Sequence, residues 1–282
     1  MSELKNKHQA VSRQRHPVPE PPPHSPSVSR VPIDSSMGSI FGPGSLYQVI
    51  AITCDIPLVS SLPPHYTIGR PITYLAFDAY SQMIAGVHVS LASPNWEGVF
   101  RCLLNAILDK VQFCLDHRLE ITEAQWPTRH LPATLFVEDP SEFAGDSAAM
   151  LDHLLASLSI RIRSFSPAGD KQAVFLSKSH HYATQLISTL QQRLRWGLRE
   201  GPPDIEFTSE QYWLLILLLI DRHNLAEQMD WYPLEEDMIA DHLVPYPINL
   251  WRWGIEHRTG QPRQIDLALH PPFANQERTS QP

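Results

Sequence analysis

Cysteine is scarce in this chain of 282 residues: Cys54, Cys102 and Cys114 are the whole complement. Their spacing forms neither a disulfide framework nor a zinc-ligand set. That poverty predicts a reducing, cytoplasmic setting. Charged residues are also few, 18% against roughly 25% in typical soluble domains. Glycine numbers only 12 against 26 prolines, a balance weighted toward loops and extended segments. Long apolar runs are missing. The longest, residues 212–220 (YWLLILLLI), falls well short of the ~20 residues that a membrane-spanning helix requires. It reads as a buried helix, and no membrane partner is expected. The first residues carry no apolar signal region, so secretion is not expected either. A cationic excess is missing too. The net charge is −8 with an isoelectric point near 5.9, which excludes a generally basic nucleic-acid-binding coat but not a local one.

What is present is enough apolar material for a sizeable core, 43% of the chain. Residues 1–41 read as a disordered proline-rich tail. Pro17, Pro19, Pro21, Pro22, Pro23, Pro26 and Pro32 favour extended conformations over packing. The first thirty residues hold five basic groups against two acids, so the tail is weakly basic.

A folded pattern then begins. Residues 46–54 (LYQVIAITC) form a nearly unbroken β-branched run, the mark of a strand buried on both faces. Residues 72–78 and 83–90 predict two further strands joined by a polar turn at 79–82. After Pro94, apolar positions Val99, Leu103, Ala106, Ile107, Val111 and Cys114 recur at helical spacing and predict one long helix over 96–117. Strands are predicted at 133–137 and 159–165, and helices at 147–158, 171–198 and 209–224. Three adjacent strands, a helix, then strand, helix, strand and helix is the element order of an RNase H-like mixed α/β domain, although other mixed α/β folds share it. In the RNase H-like arrangement, carboxylates from the first strand, the end of the fourth strand and the last helix converge on two metal ions.

The stretches GPGSLYQ (42–48), PLVSS (57–61), IGRPITYLAFDAYSQMIAG (68–86), SPNWEGVFRCLLNAILDKVQFC (93–114), WPTRHLP (126–132) and PINLWRWGIEHRTGQPR (247–263) occur in this order. Together they resemble the integrase core of TnsB/TniA-type transposases, relatives of the Mu-type DDE recombinases. The resemblance implies an RNase H-like core over 42–200, a helical extension over 201–259, and a barrel stub or disordered tail over 260–282. It further implies DNA as a partner and three acidic residues that hold two Mg²⁺ ions for strand transfer. Carboxylates suit that task because hard divalent cations prefer oxygen ligands.

Residue by residue, the implied triad is degenerate. The family pattern YQIDAT is here YQVIAIT, which places Ile50 at the first aspartate. The pattern ADRGE corresponds to VEDPSEF, where Glu138 or Asp139 takes the second position. The pattern KGIVE corresponds to KQAVF, which places Phe175 at the glutamate. The resemblance thus implies a dead active site with no metal, and so no cofactor. Two alternatives stand beside it: an active Mg²⁺-dependent enzyme using displaced ligands such as Asp55, Asp139 and Glu142, and a decayed remnant. Asp78, a common family aspartate outside the triad, is expected to cap its turn. His180 and His181 diverge on a helix and read as surface residues, and Trp196, Trp213, Trp231, Trp251 and Trp253 read as packing.

Charge is unevenly spread. Arg161, Arg163, Lys171, Lys178, Arg193, Arg195 and Arg199 face one acid, Asp170, across residues 161–199. These seven are the candidate contacts to the DNA backbone, sequence-independent by nature. Residues 204–241 hold ten acids against Arg222 alone, and would repel DNA while suiting a protein partner. An active transposase or another transposition protein is the expected protein partner.

Overall fold

In the computed structural model, the described residues are 40–137, 155, 158, 160–163, 173–200 and 207–258. The proline-rich tail, the helix expected at 147–158 (apart from Leu155 and Leu158, both buried) and the segment after residue 258 lie outside them.

The central strand is β1 (Leu46–Thr53), whose first five residues are fully buried. Two short strands, β2 (Leu58–Val59) and β3 (Thr67–Gly69), then form a separate hairpin that the sequence pattern did not announce. Next come β4 (Ile72–Asp78) and β5 (Ile84–Ser90), followed by helices α1 (Trp96–Ile107) and α2 (Lys110–Asp116). Strands β6 (Thr134–Val137) and β7 (Arg161–Arg163) complete the main sheet. The chain continues through α3 (Ala173–Glu200), α4 (Ser209–Ala226), α5 (Glu236–Ala240) and α6 (Pro247–His257).

The main sheet has the order β5-β4-β1-β6-β7. Strands β5, β4 and β1 are antiparallel neighbours, and β6 and β7 run parallel to β1. This is the RNase H-like order that the sequence predicted. Register decides what each face carries. Val49, Ala76 and Gly86 lie in one cross-strand row, and a Cβ added at Gly86 would come within 2.4 Å of the Cys102 carbonyl oxygen. That row therefore lies directly under α1. Ile52 pairs with Thr73, whose hydroxyl is 2.7 Å from that of Tyr212 on α4. Since side chains alternate along a strand, Gln48, Ile50 and Ile52 face the side that carries α3 and α4.

The single helix expected over 96–117 is instead two. Leu108 adopts an extended conformation, and the Asp109 carboxylate accepts from the backbone N–H groups of Val111 and Gln112, opening α2 as its N-cap. Asp is among the strongest N-cap residues, and the cap overrides the continuous apolar period. Lys110 then turns inward. Its ammonium group, on a side chain only 1% exposed, donates to the carbonyls of Asn105, Leu108 and Thr128. Burial pushes its pKa down to about 7. Of the strand expected at 159–165, residues 161–163 are in strand; residues 159, 164 and 165 lie outside the described residues.

The first half of β5, at the open edge of the sheet, is capped by side chains. Asn224 Oδ1 accepts from the Ile84 N–H, while Trp126 Nε1 and Asn224 Nδ2 donate to the Ile84 carbonyl. Thr128 donates to Ala85, and Asn105 accepts from the Val87 N–H. Exposed edge groups would otherwise invite another strand.

Candidate functional site

The site implied by the RNase H-like order lies on the α3 side of the sheet, around the middle of β1. Ile50 stands there, paired with Leu75 and only 5% exposed. Val49 pairs with Val137, the last residue described before the acidic string, so Ile50 lies one position beyond that pair. Glu138 and Asp139 lie outside the described residues. Gln48, two residues before Ile50 on the same face, is buried, and its Oε1 has no hydrogen-bond partner among the described residues. It is one neutral oxygen where the chemistry calls for several charged ones.

Phe175, on the first turn of α3, is 4% exposed. Its ring meets Trp231 edge-on at 5.7 Å and Tyr232 at 5.9 Å, and Tyr232 in turn meets Tyr80 at 6.5 Å. The ring is thus enclosed by aromatics from the segment before α5. One turn along, Ser179 donates to Gln82 in the β4–β5 turn. That turn lies beside the start of β1, because Asp78 pairs with Tyr47. Near the other end of β1, Cys54 interacts with Gln191 of α3. Helix α3 therefore runs alongside β1 from its first residues to its last, and Ile50 and Phe175 both belong to the interior of this layer.

Hydrocarbon at both positions does not fit a two-metal centre, since neither side chain can ligate a cation. Among the described residues no group of three or more His, Cys, Asp or Glu side chains is placed to hold a metal ion. Asp55, the displaced-ligand candidate, sits exposed beyond the end of β1. Asp139, Glu142 and Asp170 are outside the described residues. His180 and His181 are both exposed, as expected of surface residues.

Among the described residues, Asp78 is the one fully buried carboxylate. Its Oδ1 accepts from the Gly44 N–H at 2.8 Å; its Oδ2 accepts from the Ser81 N–H at 2.8 Å and from the Ser81 hydroxyl at 2.6 Å. Burial raises its pKa to about 6, opposed by those donors. The turn-capping role anticipated for it holds. The turn it closes carries Gln82 in the left-handed region (φ 59°), a strained conformation for a non-glycine residue. Contacts from two helices hold it there: Ser179 bonds its side chain, and His223 Nε2–H donates to its carbonyl at 2.9 Å. Burial lowers the His223 pKa to about 4, so the ring is neutral at pH 7.

The basic candidates divide. Arg161 and Arg163 are exposed on β7. Arg163 lies in the row of Phe136 and Gln48, so the two arginines project on the α3 side. Arg193 and Arg195 are exposed on α3. Lys178 is half-buried with its ammonium 5.2 Å from the Trp231 ring centre, a cation–π contact. Lys171 and the side chain of Arg199 lie outside the described residues. The fold thus gathers four exposed arginines on one side of the sheet.

The tryptophans require a correction. Trp251 and Trp253 are buried, and Trp213 and Trp231 half-buried, but Trp196 is 62% exposed. Its position on α3, after Leu194 on the buried stripe, turns it away from the sheet.

A five-stranded sheet of this order, with α1 on one face and α3 and α4 on the other, defines an RNase H-like core of the integrase type. Residues 48–175 match the family described as the TnsB C-terminal domain. The chain is 29% identical over 252 residues to the Escherichia coli transposon Tn7 transposition protein TnsB, an alignment covering 83% of this chain and 34% of that protein. Over these stretches the chain is similar to the TnsB-type transposases. It spans about a third of the length of that curated relative. Among solved structures, it is similar to a chain of the simian T-cell lymphotropic virus intasome in complex with PP2A regulatory subunit B56 gamma (TM-score 0.41, 10% identity, 80% of this chain and 59% of that one). It is also similar to the catalytic core domain of BIV integrase (TM-score 0.36, 14% identity, 70% and 95%). No helix among the described residues is long and apolar enough to cross a membrane.

Proposed function

We propose that this chain acts in DNA transposition as a transposase-type core that binds DNA through its phosphates and assembles with, or regulates, an active transposase, without joining strands itself. Residues 42–200 form the core in this reading, and residues 201–259 extend it with helices. The observation that carries the proposal is the packing of Ile50 and Phe175, the positions that the resemblance assigns to carboxylates, into apolar interior. Arg161, Arg163, Arg193 and Arg195 supply the phosphate contacts, with Lys171, Lys178 and Arg199 as further candidates. The three free, buried thiols suit the cytoplasm. No cofactor is needed.

The test is incubation of the full chain with supercoiled plasmid and Mg²⁺ or Mn²⁺, alongside DNA binding at low salt. Salt-sensitive binding without nicking or joining is expected, and neutralising the four exposed arginines should abolish it. Metal-dependent nicking that Asp139→Asn abolishes would overturn the proposal in favour of displaced ligands at Asp55, Asp139 and Glu142. Failure to bind DNA or to melt cooperatively would overturn it in favour of a decayed remnant.

A further inference from the structure

Strand β5 is an outer strand of the main sheet, and side chains cap only its first half, at Ile84, Ala85 and Val87. The two covering helices explain why the caps stop there. On one face, the C-terminal end of α4 reaches the edge, where Asn224 bonds Ile84. The first turn of α4 lies over β4 instead, where the Tyr212 hydroxyl is 2.7 Å from that of Thr73. On the other face, the second half of α1 meets β5, with Cys102 and Ala106 against Gly86 and Asn105 bonded to Val87. Its first turn again lies over β4, with Gly98 against the Tyr74 ring. Both helices thus cross from β5 toward β4 in the same direction, and neither runs beside the peptide edge beyond Val87.

Alternation fixes which groups are left. The Val87 N–H turns outward to Asn105, so the N–H and carbonyl of Val89, two residues on, also face away from β4. Among the described residues, no loop or side chain bonds either Val89 group or the Val87 carbonyl. Val89 lies opposite Thr73, which α4 touches, so Val87, Val89 and Leu91 line the α4 face of this edge. His88 lies opposite Tyr74, and with Ser90 it lines the α1 face. His88, Val89 and Ser90 are half-buried, and Leu91 is 45% exposed. From Met83 to Asn95 the chain has no Asp, Glu, Lys or Arg, and Val87–Leu91 has no proline. The devices by which edge strands refuse a partner are therefore missing from this half. Unpaired peptide groups spaced along a strand specify their own complement, another extended backbone. The free stretch is short, which suits a peptide segment rather than the full strand of another sheet.

We propose that Val87–Leu91 receives an extended segment of a partner protein as an added strand, its alternate side chains apolar beside Val87, Val89 and Leu91 and polar beside His88 and Ser90. The polar side is set by α1, whose Glu97 and Arg101 pair with each other and whose charges reach His88. Main-chain bonds hold the added strand, so the docking goes beyond the DNA-contact reading and does not depend on it.

The test follows amide hydrogen exchange of the full chain by NMR, with a lysine-flanked synthetic peptide of alternating valine and threonine as the probe. The Val89 amide should exchange fast in the chain alone and slow by at least about ten-fold on saturation with the peptide. The His88 amide, which faces β4, should change little. Of two further peptides, one N-methylated at its valines and one at its threonines, one should lose binding and the other keep it, because only alternate amides of a docked strand face the edge. Val89→Pro removes an outward N–H and no ladder bond, and should weaken the probe by roughly ten-fold. Leu91→Lys, at an exposed position, should also weaken it while melting like the parent chain. A Val89 amide left unprotected by the peptide, or equal behaviour of the two N-methylated peptides, would overturn the proposal. A Val89 amide already slow in the dilute chain alone would overturn it by showing that the chain covers its own edge. Protection that grows with protein concentration, together with a doubled mass in sedimentation, would overturn it in favour of a second copy.

Discussion

Replacing the Asp78 carboxylate by a carboxamide (Asp78→Asn) isolates the energetic consequence of one buried acid. Its folded pKa is about 6, against an ordinary 3.8, because burial disfavours the charge more than the Gly44 and Ser81 donors favour it. On unfolding the carboxyl returns to water and ionises readily. Between these two pH values the unfolded chain therefore binds fewer protons than the folded one, and stability falls as pH rises. The contribution is whole below about pH 4 and is lost as pH climbs through about 6. Two pKa units at roughly 1.4 kcal/mol each give about 3 kcal/mol. The carboxamide of the variant does not titrate. It fills the same space but exchanges one acceptor for a donor, at a cost of about 1–2 kcal/mol that does not vary with pH. Urea unfolding of both proteins between about pH 4 and pH 7 should therefore show the parent chain losing about 3 kcal/mol relative to the variant. All other titrating groups cancel in the difference. A gap that stays constant would refute the reasoning. A gap that widens in the parent's favour as pH rises would show that the three donors outweigh burial and hold the carboxylate ionised.

Two further outcomes follow from packing and burial. Gly86→Ala should destabilise by about 3 kcal/mol in chemical denaturation, since the new Cβ would meet the Cys102 carbonyl at 2.4 Å and Ala106 at 3.0 Å; a loss below about 0.5 kcal/mol would mean that α1 shifts freely. Lys110, with its pKa lowered by burial from 10.5 to about 7, contributes stability that is full above the unfolded value and is lost as pH falls toward 7. The penalty of Lys110→Met should therefore grow by up to about 1.4 kcal/mol per pH unit from about pH 7 to pH 9 in urea titrations; a flat penalty would mean that the three carbonyls hold the ammonium form.

The strands were legible where a run of β-branched and aromatic residues met a clear turn: β4 ends where the sequence placed its ends, at Ile72 and Asp78. The hairpin of β2 and β3 was not legible. Its strands are too short to show alternation, and Pro57, Pro63 and Pro64 argue against strand in that stretch. Helical periodicity ran unbroken past Leu108, so only the local preference of Asp109 for an N-cap signalled the break. At the candidate site, the identities of Ile50 and Phe175 could be read from the resemblance, but the enclosure of Phe175 could not. Its partners Trp231 and Tyr232 are distant along the chain, and no local pattern brings them together. The same holds for the contacts of Gln82 with Ser179 and His223, separated by 97 and 141 residues. Trp196 was misread because residue type alone favours burial; its place relative to the stripe through Leu190 and Leu194 is the signal that its exposure follows.

The occupied rim of β5 also dictates how larger assemblies can grow. With Asn224, Trp126, Thr128 and Asn105 holding peptide groups of Ile84, Ala85 and Val87, the first half of that strand has little to offer a neighbour's backbone. Copies or partners arriving at that half meet side chains of the covering helices and loops, so association there is selected by shape and charge rather than by zippering of main chains.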